Sequence, residues 1–284
     1  MKVSVVVPTF ARPRAIERCV AALQRQNLDA LEILVVDDGS PEPIGALPDG
    51  PHPVRVLRQS NAGPAAARNA GAAAAEGDLV CFTDDDCRPA PGWAAAFAAA
   101  AVNHDGLLAG TTRNAVRGNV FSAASQDMAD YVARLGPGAA FAQSNNVAIR
   151  RASFRRVGGF PRGFKRAAGE DRAFSHACAS IWPEIARVSE AVVDHDHELT
   201  LASFWRQHRN YGHGAFTWHR LARERSTATF SRPAFYLGLV GEPLRNGITA
   251  AGVARAALIA ASQVATAQGY AEAARDAQQN GILA

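Results

Sequence analysis

Three consecutive carboxylates, Asp84, Asp85 and Asp86, follow an apolar run that ends at Phe82. Two like charges about 4 Å apart repel each other by roughly 4 kcal/mol at an effective dielectric constant near 20, so the triplet needs compensation. A divalent cation, basic side chains or solvent could provide it. In an extended segment Asp84 and Asp86 would project to one side and could share a cation, while Asp85 would project to the other. Hard oxygen ligands favour Mg²⁺ or Mn²⁺, which complete their shells with water and substrate phosphates.

Other acidic and imidazole side chains occur where they could transfer protons or bind a metal. Asp37 and Asp38 follow a second apolar run, although Asp before Gly also favours a turn. Asp171 precedes a helical pattern, where an aspartate can act as the helix N-cap. His195 and His197 share one side of an extended segment, so their spacing alone does not separate a metal ligand from a bystander, and we favour His195.

Strand-length apolar runs alternate with helical patterns through the first hundred or so residues. Buried strands are predicted at Val3–Val7, Glu32–Val36, Val54–Leu57 and Asp78–Phe82, with helices at Arg14–Leu23 and Ala65–Ala75. This alternation predicts an α/β fold, with a mostly parallel sheet flanked by helices. Ligands of such sheets bind beyond the carboxyl ends of the strands. We therefore expect the polar groups after the first, second and fourth strands to meet at one edge of the sheet.

The remaining sequence has weaker patterns. Residues 106–142 are Gly-rich and are interpreted as a loop region that lines a second substrate site, and Asn145–Arg151 is predicted to be a further strand. After about Leu199 the sequence is helical to its end. These patterns predict a catalytic domain over residues 1–200 and a helical C-terminal region over residues 201–284.

Composition narrows the class of protein. The chain has 284 residues, 48% of them hydrophobic, which is sufficient for a substantial core. The net charge of +4 arises from basic residues that are spread along the chain, so we expect an anionic ligand or membrane surface rather than nucleic acid. The four cysteines have no metal-site spacing and are interpreted as buried thiols in a reducing cytoplasm.

Three segments bear on membrane contact. The N-terminus has no signal-peptide core, and the uncharged stretch 256–271 is expected to be a packed or amphipathic helix because polar residues interrupt it. Aromatic and basic side chains alternate between Phe204 and Arg225. That mixture suits an interfacial helix on anionic lipid, or an ordinary helix whose aromatic side chains pack on the core.

Seven motifs occur in an order typical of one enzyme family: VSVVVPTF, ILVVDDGS, NAGPAAARNAG, TDDDCRPAPGW, NNVAIRRASFRRVGGF, GED and VVDHDH. In these motifs, over roughly the first 200 residues, the chain resembles the family-two glycosyltransferases. The resemblance implies a Rossmann-like GT-A fold and an inverting transfer of one sugar from a nucleotide-diphosphate sugar to an acceptor hydroxyl. It also implies Mn²⁺ or Mg²⁺ as cofactor, and a glycan, lipid-linked or small-molecule acceptor in cell-surface glycan or glycolipid assembly.

The same resemblance assigns donor-binding roles. Asp38 would hydrogen-bond the nucleobase, Arg68 would lie near the base and the diphosphate, and Asp84 would face the ribose or the metal shell. Residues 1–105 would form the nucleotide-sugar half of the catalytic domain, and residues 106–200 the acceptor half. The donor-binding residues implied in this way are Pro8, Thr9, Asp38, Arg68, Asp84 and Asp85.

The resemblance assigns metal binding and proton transfer to residues in the later motifs. Asp86, the last acid of the DxD motif, and His195 would bind the metal. Asp171 would be the general base. Glu170 and His197 are possible supporting residues.

Two features depart from the family pattern. Pro161 and Arg162 stand where relatives often have an acidic pair, and the QxxRW signature of processive synthases is missing, which favours single-sugar transfer. A non-catalytic nucleotide or glycan-binding module and a sugar nucleotidyltransferase remain alternatives, although the nucleotidyltransferase would normally have a Gly-rich phosphate loop after its first strand. We expect a cytoplasmic protein, with peripheral contact at the inner face of the plasma membrane left open.

Overall fold

The computed structural model describes residues 1–135, 141–164, 168–223 and 232–280. Within these residues the chain forms an eight-stranded sheet with the order β3-β2-β1-β4-β7-β6-β8-β5. The strands are β1 (Val3–Thr9), β2 (Leu31–Asp37), β3 (Val54–Arg58), β4 (Leu79–Thr83), β5 (Cys87–Pro89), β6 (Leu108–Asn114), β7 (Asn146–Arg150) and β8 (Ala186–His195). The helices are α1 (Pro13–Leu23), α2 (Pro64–Ala74), α3 (Trp93–Ala100), α4 (Val120–Arg134), α5 (Arg151–Val157), α6 (Glu170–Ala179), α7 (Leu201–Arg223), α8 (Pro233–Gly241) and α9 (Ala250–Gln279).

The first half of the sheet is parallel, as the sequence predicts. Strand β1 lies between β2 and β4 and pairs in parallel with both. All seven residues of β1 and of β2 are buried, which is typical of strands covered on both faces. Along β1, Val5 packs into one apolar core and Val6 into the other, as expected for side chains that alternate across a sheet.

The second half of the sheet is mixed. Strand β7 pairs antiparallel with both β4 and β6, whereas β6 pairs in parallel with β8. The α/β class is therefore confirmed. The interpretation of residues 106–142 as a loop region is wrong, because strand β6 and helix α4 lie within this range. The side chain of Asn119 caps α4 by accepting hydrogen bonds from the N–H groups of Phe121 and Ser122.

The chain divides into two compact units. Unit 1 consists of Met1–Ala115, Ala140–Arg162 and Asp171–Asp196, and it contains the whole sheet. Unit 2 consists of Val116–Ala139, Gly163–Glu170 and His197–Ala284. The boundary near residue 200 proposed from the sequence stays a prediction. All four cysteines lie in unit 1, where they are buried and form no disulfide.

Unit 2 is built around the contact between α7 and α9. Glycines permit the close approach, since a Cβ atom at Gly212 would overlap the carbonyl oxygen of Thr266, and one at Gly269 would overlap that of Arg209. By length and composition alone α9 could also span a membrane, a property that core helices of soluble proteins share. In unit 2 one face of α9 packs on its neighbours, through residues such as Ile259 and Ala265.

Candidate active site

The carboxyl ends of β1, β2 and β4 meet at one edge of the sheet, as predicted. The hydroxyl of Thr9, at the end of β1, donates to Oδ2 of Asp85 at 2.7 Å. The backbone N–H of Asp38 donates to the carbonyl oxygen of Thr9 at 2.9 Å. Pro8 pairs with Val36 of β2. The parallel register continues through Pro8 to the end of the strand, although proline has no backbone N–H. Hydrogen bonds therefore connect the ends of the three strands.

The acidic triplet forms a turn. The backbone N–H of Cys87 donates to the carbonyl oxygen of Asp84 at 3.0 Å, and the chain then continues as β5. The expected alternation, with Asp84 and Asp86 on one side, is therefore wrong, because an extended segment is needed for it. Asp84 instead pairs with Arg68, whereas Asp85 and Asp86 share Arg12.

Arg12 is a site residue that the sequence reasoning missed. Its Nη1 lies 2.8 Å from Oδ2 of Asp86, its Nη2 lies 2.5 Å from Oδ1 of Asp85, and its Nε donates to Oδ2 of Asp85 at 3.1 Å. The available signal was a basic residue directly after the first strand, in PTFARPR. Arg12 immediately precedes α1, which begins at Pro13.

Asp85 is the most deeply buried acid of the turn, with 1% of its surface exposed. Burial raises the pKa of Asp85 to about 7, although the Arg12 charge and the Thr9 hydrogen bond act in the opposite direction. The Asp85 side chain contacts Thr9 at the end of β1 and Arg12 just before α1. Because Asp85 itself follows β4, its hydrogen bond to Thr9 links the end of β4 to the end of β1.

Asp86, Cys87 and His195 bring possible metal-ligand atoms within 4.8 Å of one another. His195 Nε2 lies 3.3 Å from Oδ1 of Asp86. Burial lowers the pKa of His195, but the hydrogen bond and charge of Asp86 outweigh it, so the net pKa is raised. Burial raises the pKa of Cys87 well above its ordinary value, which disfavours the thiolate form, and hard cations prefer oxygen to sulfur ligands. One carboxylate and one imidazole leave an incomplete shell, which suits Mg²⁺ or Mn²⁺ with water and phosphate ligands.

Arg68 lies beside the turn, on helix α2. Its Nη2 donates to Oδ1 of Asp84 at 2.6 Å, and its guanidinium carbon lies 5.5 Å from the centre of the Phe160 ring. The backbone of Phe160 is held by Asn69, which accepts from the Phe160 N–H and donates to the Phe160 carbonyl, both at 2.8 Å. The RNAG and GGF motifs therefore contact each other, although 91 residues separate the two partners.

The acids after β2 organise loops. Oδ1 of Asp37 accepts from the N–H of Ser40, as in a turn, and its Oδ2 pairs with Arg58 at 3.1 Å. Both oxygens of Asp38 accept hydrogen bonds from the loop before α2. The donors are Gln59 Nε2, the Ala62 N–H and the Gly63 N–H, at 2.7, 2.9 and 2.8 Å. Three of the four lone-pair positions on this carboxylate are thus occupied within the chain.

Asp171 lies in the first turn of α6, and its Oδ1 accepts from the Arg172 N–H at 2.7 Å. Burial raises the pKa of Asp171, and the Asp84 charge adds to this rise, while the Arg172 N–H and the charges of Arg68 and Arg172 oppose it. A carboxylate with a raised pKa is suited to accept a proton near neutral pH.

The two supporting residues belong to unit 2. Glu170, the first residue of α6, is 5% exposed. The carbonyl oxygen of His197 accepts from the Ser122 hydroxyl at 2.6 Å. Strand β8 ends at His195, so His197 lies beyond the strand that the sequence pattern extended through it.

Comparison with known proteins shows the family to which the chain belongs. Residues 4–167, more than half of the chain, match the family described as Glycosyl transferase family 2. The glycosyltransferase EpsJ of Bacillus subtilis is 38% identical over 88 residues, and the succinoglycan biosynthesis protein ExoW of Rhizobium meliloti is 37% identical over 93 residues. Each match covers 30% of this chain, but only 26% of EpsJ and 29% of ExoW.

Solved structures agree on the fold. A mannosyltransferase from Pyrobaculum calidifontis, in complex with GDP-Man and Mn²⁺, superposes with a TM-score of 0.59 at 20% identity. That superposition covers 98% of this chain and 80% of the mannosyltransferase. TarS of S. aureus, in complex with UDP-GlcNAc, superposes with a TM-score of 0.52 at 19% identity, over 99% of this chain and 92% of TarS. The fold is GT-A, and the chain belongs to glycosyl transferase family 2.

Proposed function

We propose that this chain is an inverting, metal-dependent glycosyltransferase that moves one sugar from a nucleotide-diphosphate sugar to an acceptor hydroxyl. The observation that carries the proposal is the convergence of Thr9, Arg68, the acidic turn and His195 at the carboxyl ends of β1 and β4. A surface with fixed cations, carboxylates and an incomplete metal shell suits a diphosphate that arrives with a divalent cation.

The donor-binding set is Pro8, Thr9, Asp38, Arg68, Asp84 and Asp85. Arg68 is a buried cation that would face the diphosphate, and Asp84 holds it in position at 2.6 Å. Asp38 acts chiefly by ordering the loop from Gln59 to Gly63, which would border the nucleobase, and its Oδ2 retains room for one further donor. The mannosyltransferase and TarS, the two similar proteins of known structure, are in complex with GDP-Man and UDP-GlcNAc respectively, which supports a nucleotide-diphosphate sugar as the donor of this chain.

Asp86 and His195 would hold Mn²⁺ or Mg²⁺. When bound there, the cation would supply positive charge for the leaving diphosphate, a contribution of several kcal/mol in comparable sites. His195 must present its Nε2 lone pair for this, so its 3.3 Å contact with Asp86 would open. Asp86 would keep its hydrogen bond to Arg12 through the other oxygen.

Asp171 would act as the general base. It would accept the proton of the acceptor hydroxyl while that oxygen forms a bond to the anomeric carbon and the bond to the diphosphate breaks. The nucleoside diphosphate leaves with the bonding electron pair. One in-line displacement of this kind inverts the configuration at the anomeric carbon. The raised pKa of Asp171 supports the assignment, because a base works best with a pKa near the working pH.

The acceptor and the location belong to the same proposal. ExoW is named for succinoglycan biosynthesis, which favours a glycan or lipid-linked acceptor in cell-surface glycan assembly and a place at the cytoplasmic side of the membrane. Between Ala250 and Ala267, every exposed residue of α9 is Ala or Val. Leu237 and Ile248, which are 76% and 82% exposed, extend this apolar character in unit 2. We call the exposed Ala and Val residues of α9 between Ala250 and Ala267, together with Leu237 and Ile248, the α9 face. We propose that the α9 face contacts lipid peripherally.

Donor binding tests the proposal directly. Isothermal titration calorimetry of the full chain with UDP, GDP and dTDP sugars, each with and without Mn²⁺, should identify one nucleotide that binds only with the metal. Incubation with that donor and glycan or lipid-linked acceptors should then transfer the sugar with inversion, as seen by NMR of the product. The proposed function would be overturned if the chain binds no nucleoside diphosphate in the presence of either Mn²⁺ or Mg²⁺.

A further inference from the structure

The acidic turn is compensated by side chains of this chain itself. Arg12 reaches both Asp85 and Asp86, and Arg68 reaches Asp84. Two guanidinium groups therefore face three carboxylates. The repulsion for which the sequence suggested a divalent cation is largely relieved by fixed positive charges.

The backbone holds Arg12 in this position. Ala11 has a φ of 53°, the only positive φ of a non-glycine residue in the described part of the chain, and this conformation is strained for alanine. The Ala11 N–H donates to the hydroxyl of Ser40 at 2.9 Å, which fixes the strained residue against the loop after β2. On the other side, the carbonyl oxygen of Arg12 accepts from the N–H groups of Ala15 and Ile16 in the first turn of α1. Arg12 is thus built into the site, although its side chain is 52% exposed.

The contact with Asp86 bears directly on metal binding. Oδ2 of Asp86 accepts from Arg12 at 2.8 Å, and Oδ1 faces His195 at 3.3 Å. A cation held by Oδ1 and His195 would therefore lie beside a fixed guanidinium charge. That guanidinium also withdraws electron density from the carboxylate. Both effects weaken the binding of a metal that arrives alone.

We propose that Arg12 is the resident counter-ion of the metal site, and that it makes tight binding of the divalent cation depend on the nucleoside diphosphate. The diphosphate carries negative charge that offsets both the metal and Arg12, so the two ligands bind together far better than either binds alone. The inference rests on the metal-dependent function proposed above. Arg12 acts in it as a positioning residue.

The coupling between metal and nucleotide distinguishes this role from a structural one. Thermodynamic linkage requires that nucleotide raises metal affinity by the same factor by which metal raises nucleotide affinity. If Arg12 only neutralised buried Asp85, replacing Arg12 would change the melting temperature and leave the coupling factor between metal and nucleotide unchanged. If Arg12 has the proposed role, replacing it changes the coupling factor itself.

The experiment measures the Kd of Mn²⁺ for the full chain by electron paramagnetic resonance of unbound Mn²⁺, without nucleotide and with saturating UDP or GDP. Arg12→Met removes the charge and should tighten binding of Mn²⁺ alone by about 10-fold, with a similar drop in the coupling factor. Arg12→Lys keeps the charge and should retain the wild-type factor within about 3-fold. Arg150→Met, which breaks the 2.9 Å pair with Asp105 in the same unit, is the matched control and should leave the factor unchanged.

Arg12→Met leaves Asp85 buried without its cation, so a second variant protects the test against misfolding. Arg12→Met combined with Asp85→Asn removes both charges, and the amide oxygen introduced by the second substitution can still accept from the Thr9 hydroxyl. This double variant should show the same loss of coupling. A wild-type coupling factor in both variants would overturn the role of Arg12 and leave the proposed function standing. Absence of Mn²⁺ and nucleotide binding by the wild type would overturn the proposed function, and this inference with it.

Discussion

Arg68 donates through Nη2 to Oδ1 of Asp84 at 2.6 Å, and this ion pair joins helix α2 to the acidic turn. The Arg68 side chain is 4% exposed and that of Asp84 is 28% exposed. The same two charges act on the pKa of Asp171, which Arg68 lowers and Asp84 raises. One ion pair therefore contributes charge to the acidic turn and also affects the pKa of Asp171, the proposed general base.

Breaking this pair should destabilise the fold. Arg68→Met leaves Asp84 without its guanidinium and should lower the free energy of unfolding by about 1–3 kcal/mol, a range reduced because Asp84 is partly solvated. The double variant Arg68→Met, Asp84→Asn should lose less than the sum of the two single variants, because it leaves no unpaired charge. Urea denaturation of the four proteins measures this coupling. Strict additivity would mean that the pair contributes nothing to stability.

Asp171→Asn should separate transfer from donor binding. The Asn oxygen can still accept from the Arg172 N–H, so the first turn of α6 should persist. Loss of the general base should reduce kcat by about 10²- to 10⁴-fold, while the donor Kd changes little. Radiolabelled transfer and calorimetry provide the two readouts. Unchanged transfer would remove Asp171 from the mechanism. A wild type that binds donor without any transfer would favour the binding-module alternative.

Asp86→Asn should weaken the metal-dependent binding of nucleotide. Asn lacks the charge that a hard cation prefers, and we expect Mn²⁺ affinity in the presence of nucleotide to fall by about 10- to 100-fold. Asp105→Asn is the control, because it also removes one carboxylate from unit 1, at a site 67% exposed and paired with Arg150. Equal effects of the two substitutions would argue against a metal ligand at Asp86.

His208 should make unit 2 sensitive to acid. Its side chain is buried between Phe204 and Tyr211, and burial, helped by His197, lowers the pKa of His208 to about 4. The unfolded chain binds this proton near pH 6.5, before the folded state does. Stability is therefore fully present above about pH 6.5 and falls by roughly 1.4 kcal/mol per unit as the pH drops towards 4.

The variant His208→Phe checks this sign. It keeps an aromatic ring in the helix and should lose the part of the pH slope that His208 causes, up to about 3 kcal/mol between pH 6.5 and pH 4. Urea denaturation across this range compares the two proteins. An unchanged slope in His208→Phe would assign the acid sensitivity to other groups.

The α9 face predicts peripheral lipid binding. Leu237→Glu combined with Val264→Glu places two negative charges on it and should reduce flotation with anionic liposomes by several-fold, since apolar insertion and charge attraction both weaken. Val102→Glu, at a position 63% exposed in unit 1, is the matched control. Equal flotation of the wild type and the double variant would exclude this face as the contact.

The parts of the fold that could be predicted from sequence depend on short-range patterns. The β-branched runs of β1 and β2 and the periodicity of α1 gave element positions within one or two residues. The polar residues after β1, β2 and β4 followed from strand ends that must share one sheet edge. The range 106–142 was misinterpreted because most residues of β6 and α4 are only partly buried, so few of them are the strongly apolar residues that mark a buried element.

The sequence by itself determined the family, the parallel half of the sheet and the list of acids at its edge, because local hydrophobic periodicity and motif order encode them. Only the tertiary structure decided how those acids are neutralised. The turn at Asp84 directs neighbouring carboxylates to different cations, and Arg12 meets Asp85 across 73 residues of chain. Such pairing depends on distances in space between charges, and spacing along the chain carries no record of them.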